Sequence, residues 1–89
     1  MEFAEELYIG RSIIDPGVVV KLLKNGDVAH GVFCVCSNEN GKYRYEIMSC
    51  RELLKERNAL NYKVLGLAAG KREAFEVVRS IVEENREFV

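Results

Sequence analysis

The apolar residues of this chain switch between a two-residue and a 3.6-residue repeat in a fixed order: short strand, helix, paired strands around Asn40-Gly41, helix, short strand, long helix, all within 89 residues. Leu7-Tyr8-Ile9 ends at Gly10 and predicts a first strand over Glu6–Gly10. Asp15-Pro16 then supplies an N-cap followed by proline at the first helical position, and Asn25-Gly26 supplies a stop, with Val19, Leu22 and Leu23 on one face between them. The run Val18-Val19-Val20 also suits a strand, which would turn Asn25-Gly26 into a hairpin turn and make the fold a β-meander with C-terminal helices.

His30 to Cys36 and Lys42 to Met48 flank Asn38-Glu39-Asn40-Gly41, a turn sequence with glycine available for positive φ, and predict a hairpin. A three-residue loop places Tyr43, Tyr45 and Ile47 on one face with Phe33 and Val35, whereas a loop of two or four residues places them with Val32, Cys34 and Cys36. The first register is preferred, because it leaves Arg44 and Glu46 on the other face beside the small cysteines. Ser49 and Glu52 have capping-box spacing ahead of Leu53, Leu54 and Leu60. Val64 to Ala68 reads as a buried strand, and Ala74, Phe75, Val77, Val78, Ile81 and Val82 mark the inner stripe of a final helix.

This order, βαββαβ plus an additional C-terminal helix, resembles the split βαβ arrangement of ferredoxin-like α+β domains, which implies a sheet ordered 4-1-3-2 with the second strand at an edge. The sequence has no internal repeat, low-complexity tract or Pro/Gly/Ser linker, so a single α+β domain over 1–89 is expected. At 48% hydrophobic such a length supports one core.

Charge narrows the partners. Thirteen basic and 14 acidic residues leave a net charge of -1, which provides no long-range field for phosphate backbones or anionic lipid. Met1-Glu2-Phe3-Ala4-Glu5-Glu6 lacks the basic and apolar regions of a signal peptide, and no apolar run approaches the roughly 20 residues of a membrane span. A cytoplasmic protein away from membranes is expected, with its three cysteines reduced.

Chemistry has few candidate positions. His30, Cys34, Cys36 and Cys50 contain the donors of a tetrahedral zinc site, but Cys34 and Cys36 alternate along one strand instead of forming a C-x₂₋₄-C turn. Cys50, behind Ser49 in a first helical turn, has the setting of a reactive thiol, and His30 is the only histidine that could serve it. Gly66-Leu67-Ala68-Ala69-Gly70-Lys71 joins a strand to a helix as a phosphate loop does, yet only three residues separate its glycines and Arg72 stands where Ser or Thr is required. Small buried thiols and a tight turn are the plainer readings, so neither cofactor nor catalysis is expected. Glu46 and Glu52 are the carboxylates that acid-base chemistry would draw on.

Leu7-Tyr8-Ile9-Gly10 and Lys42-Tyr43-Arg44-Tyr45 resemble the two strand signatures of RNA-recognition motifs. The resemblance implies base stacking on Tyr8, Tyr43 and Tyr45 across an open sheet. Lys42 replaces the glycine of the second signature, and the neutral charge balance opposes the reading. The strand Val32-Phe33-Cys34-Val35-Cys36 carries no lysine, proline or charge, and at a sheet edge it would pair with a second copy or with another protein's strand. The sequence therefore predicts a non-catalytic association module, homodimeric through Val32–Cys36, with RNA binding as the alternative and Cys/His metal binding behind it.

Overall fold

The computed structural model describes residues 1–57 and 59–85. Its elements are β1 (Glu2–Ile9), α1 (Pro16–Lys24), β2 (Val32–Asn38), β3 (Glu46–Ser49), α2 (Cys50–Lys55), a 3-10 turn at Ala59–Asn61, β4 (Tyr62–Ala69) and α3 (Lys71–Glu84). They form an α+β fold in which three helices pack on a four-stranded mixed sheet.

Local signals set the helix starts. Asp15 Oδ1 accepts the Val18 amide at 3.2 Å, and Pro16 fills the first helical position, where no amide partner is needed. The helix continues through Val18-Val19-Val20 because Val19 and Leu23 bury against the sheet, so packing overrides the β-branched preference and the meander alternative does not form. At α2 the capping box is complete: the Glu52 amide donates to Ser49 Oγ at 3.1 Å and the Ser49 amide to Glu52 Oε1 at 3.0 Å.

In the hairpin, Val35 pairs with Ile47 and Phe33 with Ser49, so Tyr45 and Ile47 share a face with Phe33 and Val35, the preferred register. The connection is longer than the sequence suggests, since β3 begins only at Glu46. Asn38 organises it: its Oδ1 accepts the Asn40 amide and its carbonyl the Gly41 amide, both at 3.0 Å. Gly41 does not adopt positive φ.

The sheet order is β1-β4-β2-β3, with β1 parallel to β4 and the other pairs antiparallel. It is not the 4-1-3-2 order expected, and β2 is internal, hydrogen-bonded to β3 on one side and to β4 on the other. The candidate edge strand Val32, Phe33, Cys34, Val35 and Cys36 therefore has no free backbone edge for a second copy. The physical reason lies in the same uncharged run: Val32, Cys34, Val35 and Cys36 are all buried, and a strand covered on both faces belongs in the interior of a sheet.

The helices divide between the faces. Val19 and Leu23 of α1 and Leu53 of α2 pack with Val32, Cys34, Cys36, Val64 and Leu67 on one side. Ala74, Val77 and Ile81 of α3 pack with Val35 and Ala68 on the other. Gly66 allows that second contact, because a Cβ there would lie 2.6 Å from Val77 Cγ1 and 2.9 Å from the Tyr8 carbonyl oxygen.

Candidate association surface

Two strands form the sheet edges, and both are protected. β1 carries Glu2, Glu5 and Glu6, and its pairing with β4 is interrupted between Phe3 and Tyr8, so it presents a charged, bulged edge that resists strand addition. β3 has only four residues.

Among the described residues, one helix flank that the sheet leaves uncovered and apolar lies on α3. The sequence pattern assigns Ala74, Phe75, Val77, Val78, Ile81 and Val82 to one inner stripe, but the sheet covers only part of it. Ala74, Val77 and Ile81 are buried and Val78 is half-buried, while Phe75 is 58% exposed and Val82 46%. Glu73, Glu76 and Ser80 line a groove with Ile9, Gly10 and Arg11 on the β1 side of the helix. Helical geometry puts Phe75, Val78 and Val82 on the opposite side, toward β2 and β3. There Phe33, Tyr45 and Ile47 are themselves half-buried and border the same core cluster as Val78. Ile9, Ile14, Val18 and Leu60, also exposed, lie outside α3, at the end of β1, in the loop before α1, on α1 and in the 3-10 turn.

The three tyrosines are not displayed together. Tyr8 and Tyr45 lie on the face covered by α3, and the Tyr8 phenol is held above its usual range, first by a hydrogen bond to Glu84 in the last turn of that helix. Tyr43 lies in the 39–45 connection, 64% exposed, with Lys42 Nζ 5.9 Å from its ring centroid.

The cysteines are gathered on the opposite face, where all three are buried and free. Cys34 Sγ and Cys50 Sγ are 3.7 Å apart. The Cys34 thiol and the Ala29 amide hold Cys50 below the usual thiol range although burial opposes them, whereas the Cys50 contact and burial push Cys34 up. Burial, followed by the Glu46 carboxylate and Cys50, pushes Cys36 up to about 12. His30 is exposed, and among the described residues no three His, Cys, Asp or Glu side chains converge as metal ligands.

The turn after β4 holds a residue that sequence reasoning missed. β1 and β4 run parallel and their chains leave toward α1 and α3 on opposite faces, the topology at which α/β sheets bind ligands. Here Glu73 occupies the position. Its Oε1 accepts the Ser12 amide at 2.8 Å and its Oε2 the Ala69 amide at 3.2 Å. These amides, with Arg11 nearby, keep its carboxyl below the ordinary range against the effect of burial. The Ser12 and Ala69 amides are thus taken by the chain's own carboxylate and are not free for a phosphate. The available sequence signal was an acidic residue in the first turn behind Gly70, where the helix dipole favours it.

The chain matches no family model, no curated protein and no solved structure. Among the described residues no helix is long and apolar enough to cross a membrane.

Proposed function

We propose that this chain is a single-domain, non-catalytic association module of the cytoplasm that works as a homodimer through the Phe75, Val78, Val82 flank of α3. The observation that carries the reading is the exposed pair Phe75 and Val82, two turns apart on one helix face and flanking Val78, which borders the same core cluster as the half-buried Phe33, Tyr45 and Ile47.

Charge favours a second copy of the same helix as the occupant. Beside the buried Glu73, the exposed Lys71 and Arg72 lie in the first turn of α3 and Glu83 and Glu84 in the last, the reverse of what the helix dipole stabilises for those four. A two-fold arrangement with the helices antiparallel sets Phe75 against Val82 of the second copy, and Val78 against its equivalent. It also brings Arg72 to Glu83 of the second copy twice over. Glu83, already held by Arg79 of its own helix at 3.3 Å in an exposed pair, gains a second basic neighbour, and the two helix dipoles oppose. Catalysis has less support, because Cys50 has a thiol and a backbone amide as neighbours in place of a base.

Light scattering across a micromolar concentration series tests the proposal. The expected result is a mass that rises toward twice that of the chain for the native protein and stays at the monomer for Phe75→Lys. A monomer at every concentration overturns it. Salt-dependent binding of single-stranded RNA by such a monomer would support the tyrosine reading in its place.

A further inference from the structure

The geometry points to a redox-active dithiol: Cys34 and Cys50 form a pair that a hydroperoxide closes to an intramolecular disulfide. This inference does not depend on the association surface, which lies on the other face of the sheet.

The sulfur atoms are 3.7 Å apart, in thiol-to-thiol contact, and a disulfide needs about 2.05 Å. Closing that gap takes side-chain rotation together with a small shift of the first turn of α2. The two ends are unequally held. Cys34 belongs to β2, fixed between β3 and β4, while Cys50 begins a six-residue helix anchored by its capping box. A pocket of about 130 Å³ is lined by Ala29, His30, Gly31, Val32, Ser49 and Cys50 but not by Cys34, and since neither cysteine is exposed to solvent, the same shift of the first turn of α2 must admit the peroxide to the Cys50 thiol. The pocket has room for hydrogen peroxide, since a single water occupies about 30 Å³ in the liquid.

The roles follow from this asymmetry. Cys50, favoured as thiolate by the Cys34 thiol and the Ala29 amide, attacks one peroxide oxygen: the S–O bond forms, the O–O bond breaks, and the departing hydroxide takes a proton to become water. The Cys34 sulfur then attacks the Cys50 sulfenic acid. The S–S bond forms, the S–O bond breaks, and hydroxide leaves as water with the Cys34 proton. Two thiols lose two electrons and one peroxide becomes two waters. Cys36, held as the thiol, does not take part.

The test is to oxidise the native protein with hydrogen peroxide, alkylate it under denaturing conditions, and count thiols by intact mass. Two of the three thiols should be lost, with the chain remaining monomeric by denaturing mass. Cys34 and Cys36 share one tryptic peptide, so Cys36→Ser makes the assignment: it should still form the disulfide. Cys34→Ser should stop at a Cys50 sulfenic acid captured by dimedone. Should Cys34→Ser not fold, the native and Cys36→Ser results decide alone. Retention of all three thiols, loss of the disulfide in Cys36→Ser, or linkage only between chains would overturn the proposal.

Discussion

Glu73 Oε1 accepts a 2.8 Å hydrogen bond from the amide of Ser12, a residue 61 positions earlier, and so fastens the exit of β1 to the start of α3. With the Ala69 amide on its other oxygen, the carboxylate satisfies two donors at the crossing of two loops. Its folded pKa lies below its unfolded value, so it contributes stability that is present above the unfolded pKa, about 4.3, and is lost as pH falls through the folded value. Chemical denaturation of Glu73→Gln should show a lower midpoint than the native protein at pH 7, with the difference shrinking toward pH 3. An unchanged difference at the two pH values would count against the ionised carboxylate as the stabilising form.

Gly10 is tied to the same contact. A Cβ at that position would lie 2.6 Å from Glu73 Cδ, so Gly10→Ala should destabilise by about 1–3 kcal/mol through overpacking. In the Glu73→Ala background, where the obstructing carboxyl is absent, the same substitution should cost markedly less. A double-mutant cycle by urea denaturation measures the difference, and additivity of the two changes would contradict the contact.

On the opposite side of the sheet, α2 depends on its cap and on one buried leucine. Ser49→Ala removes the acceptor for the Glu52 amide and should cost about 1 kcal/mol. Leu53→Ala, at a side chain with no solvent exposure, should cost about 2–5 kcal/mol. Thermal or urea unfolding gives both values, and their order distinguishes helix capping from core packing.

What the sequence disclosed was largely local. Asp15-Pro16 and Ser49/Glu52 were legible as helix starts because each cap is completed within three residues. The facing of Tyr45 and Ile47 with Phe33 and Val35 was legible because alternation along a strand is rigid. Strand order was not, since the uncharged run Val32–Cys36 suits an unguarded edge and a sheet interior equally well, and the neighbours that decide between them come from Tyr62–Ala69. Phe75 and Val82 illustrate a different limit. Periodicity identifies the apolar side of a helix but not how much of it the sheet covers, and a four-residue β3 leaves its outer part uncovered. Glu73 was hidden because its partner lies at the other end of the chain.

A charge exchange tests the central claim, the antiparallel pairing of α3 with its copy, most directly. Arg72→Glu places acid opposite Glu83 of the second copy, and Glu83→Lys places base opposite Arg72. Each change also suits the helix dipole, and the Arg79–Glu83 ion pair that Glu83→Lys gives up is exposed and worth little to the fold, so both variants should fold, which circular dichroism checks. Native mass spectrometry of the two variants, alone and mixed, is the measurement. The account predicts that each variant alone dimerises several-fold more weakly than the native chain, and that the mixture forms the heterodimer preferentially, since both charge pairs are then restored in reverse. Equal dimer fractions in all three samples, or a mixture with no excess of heterodimer, would contradict it.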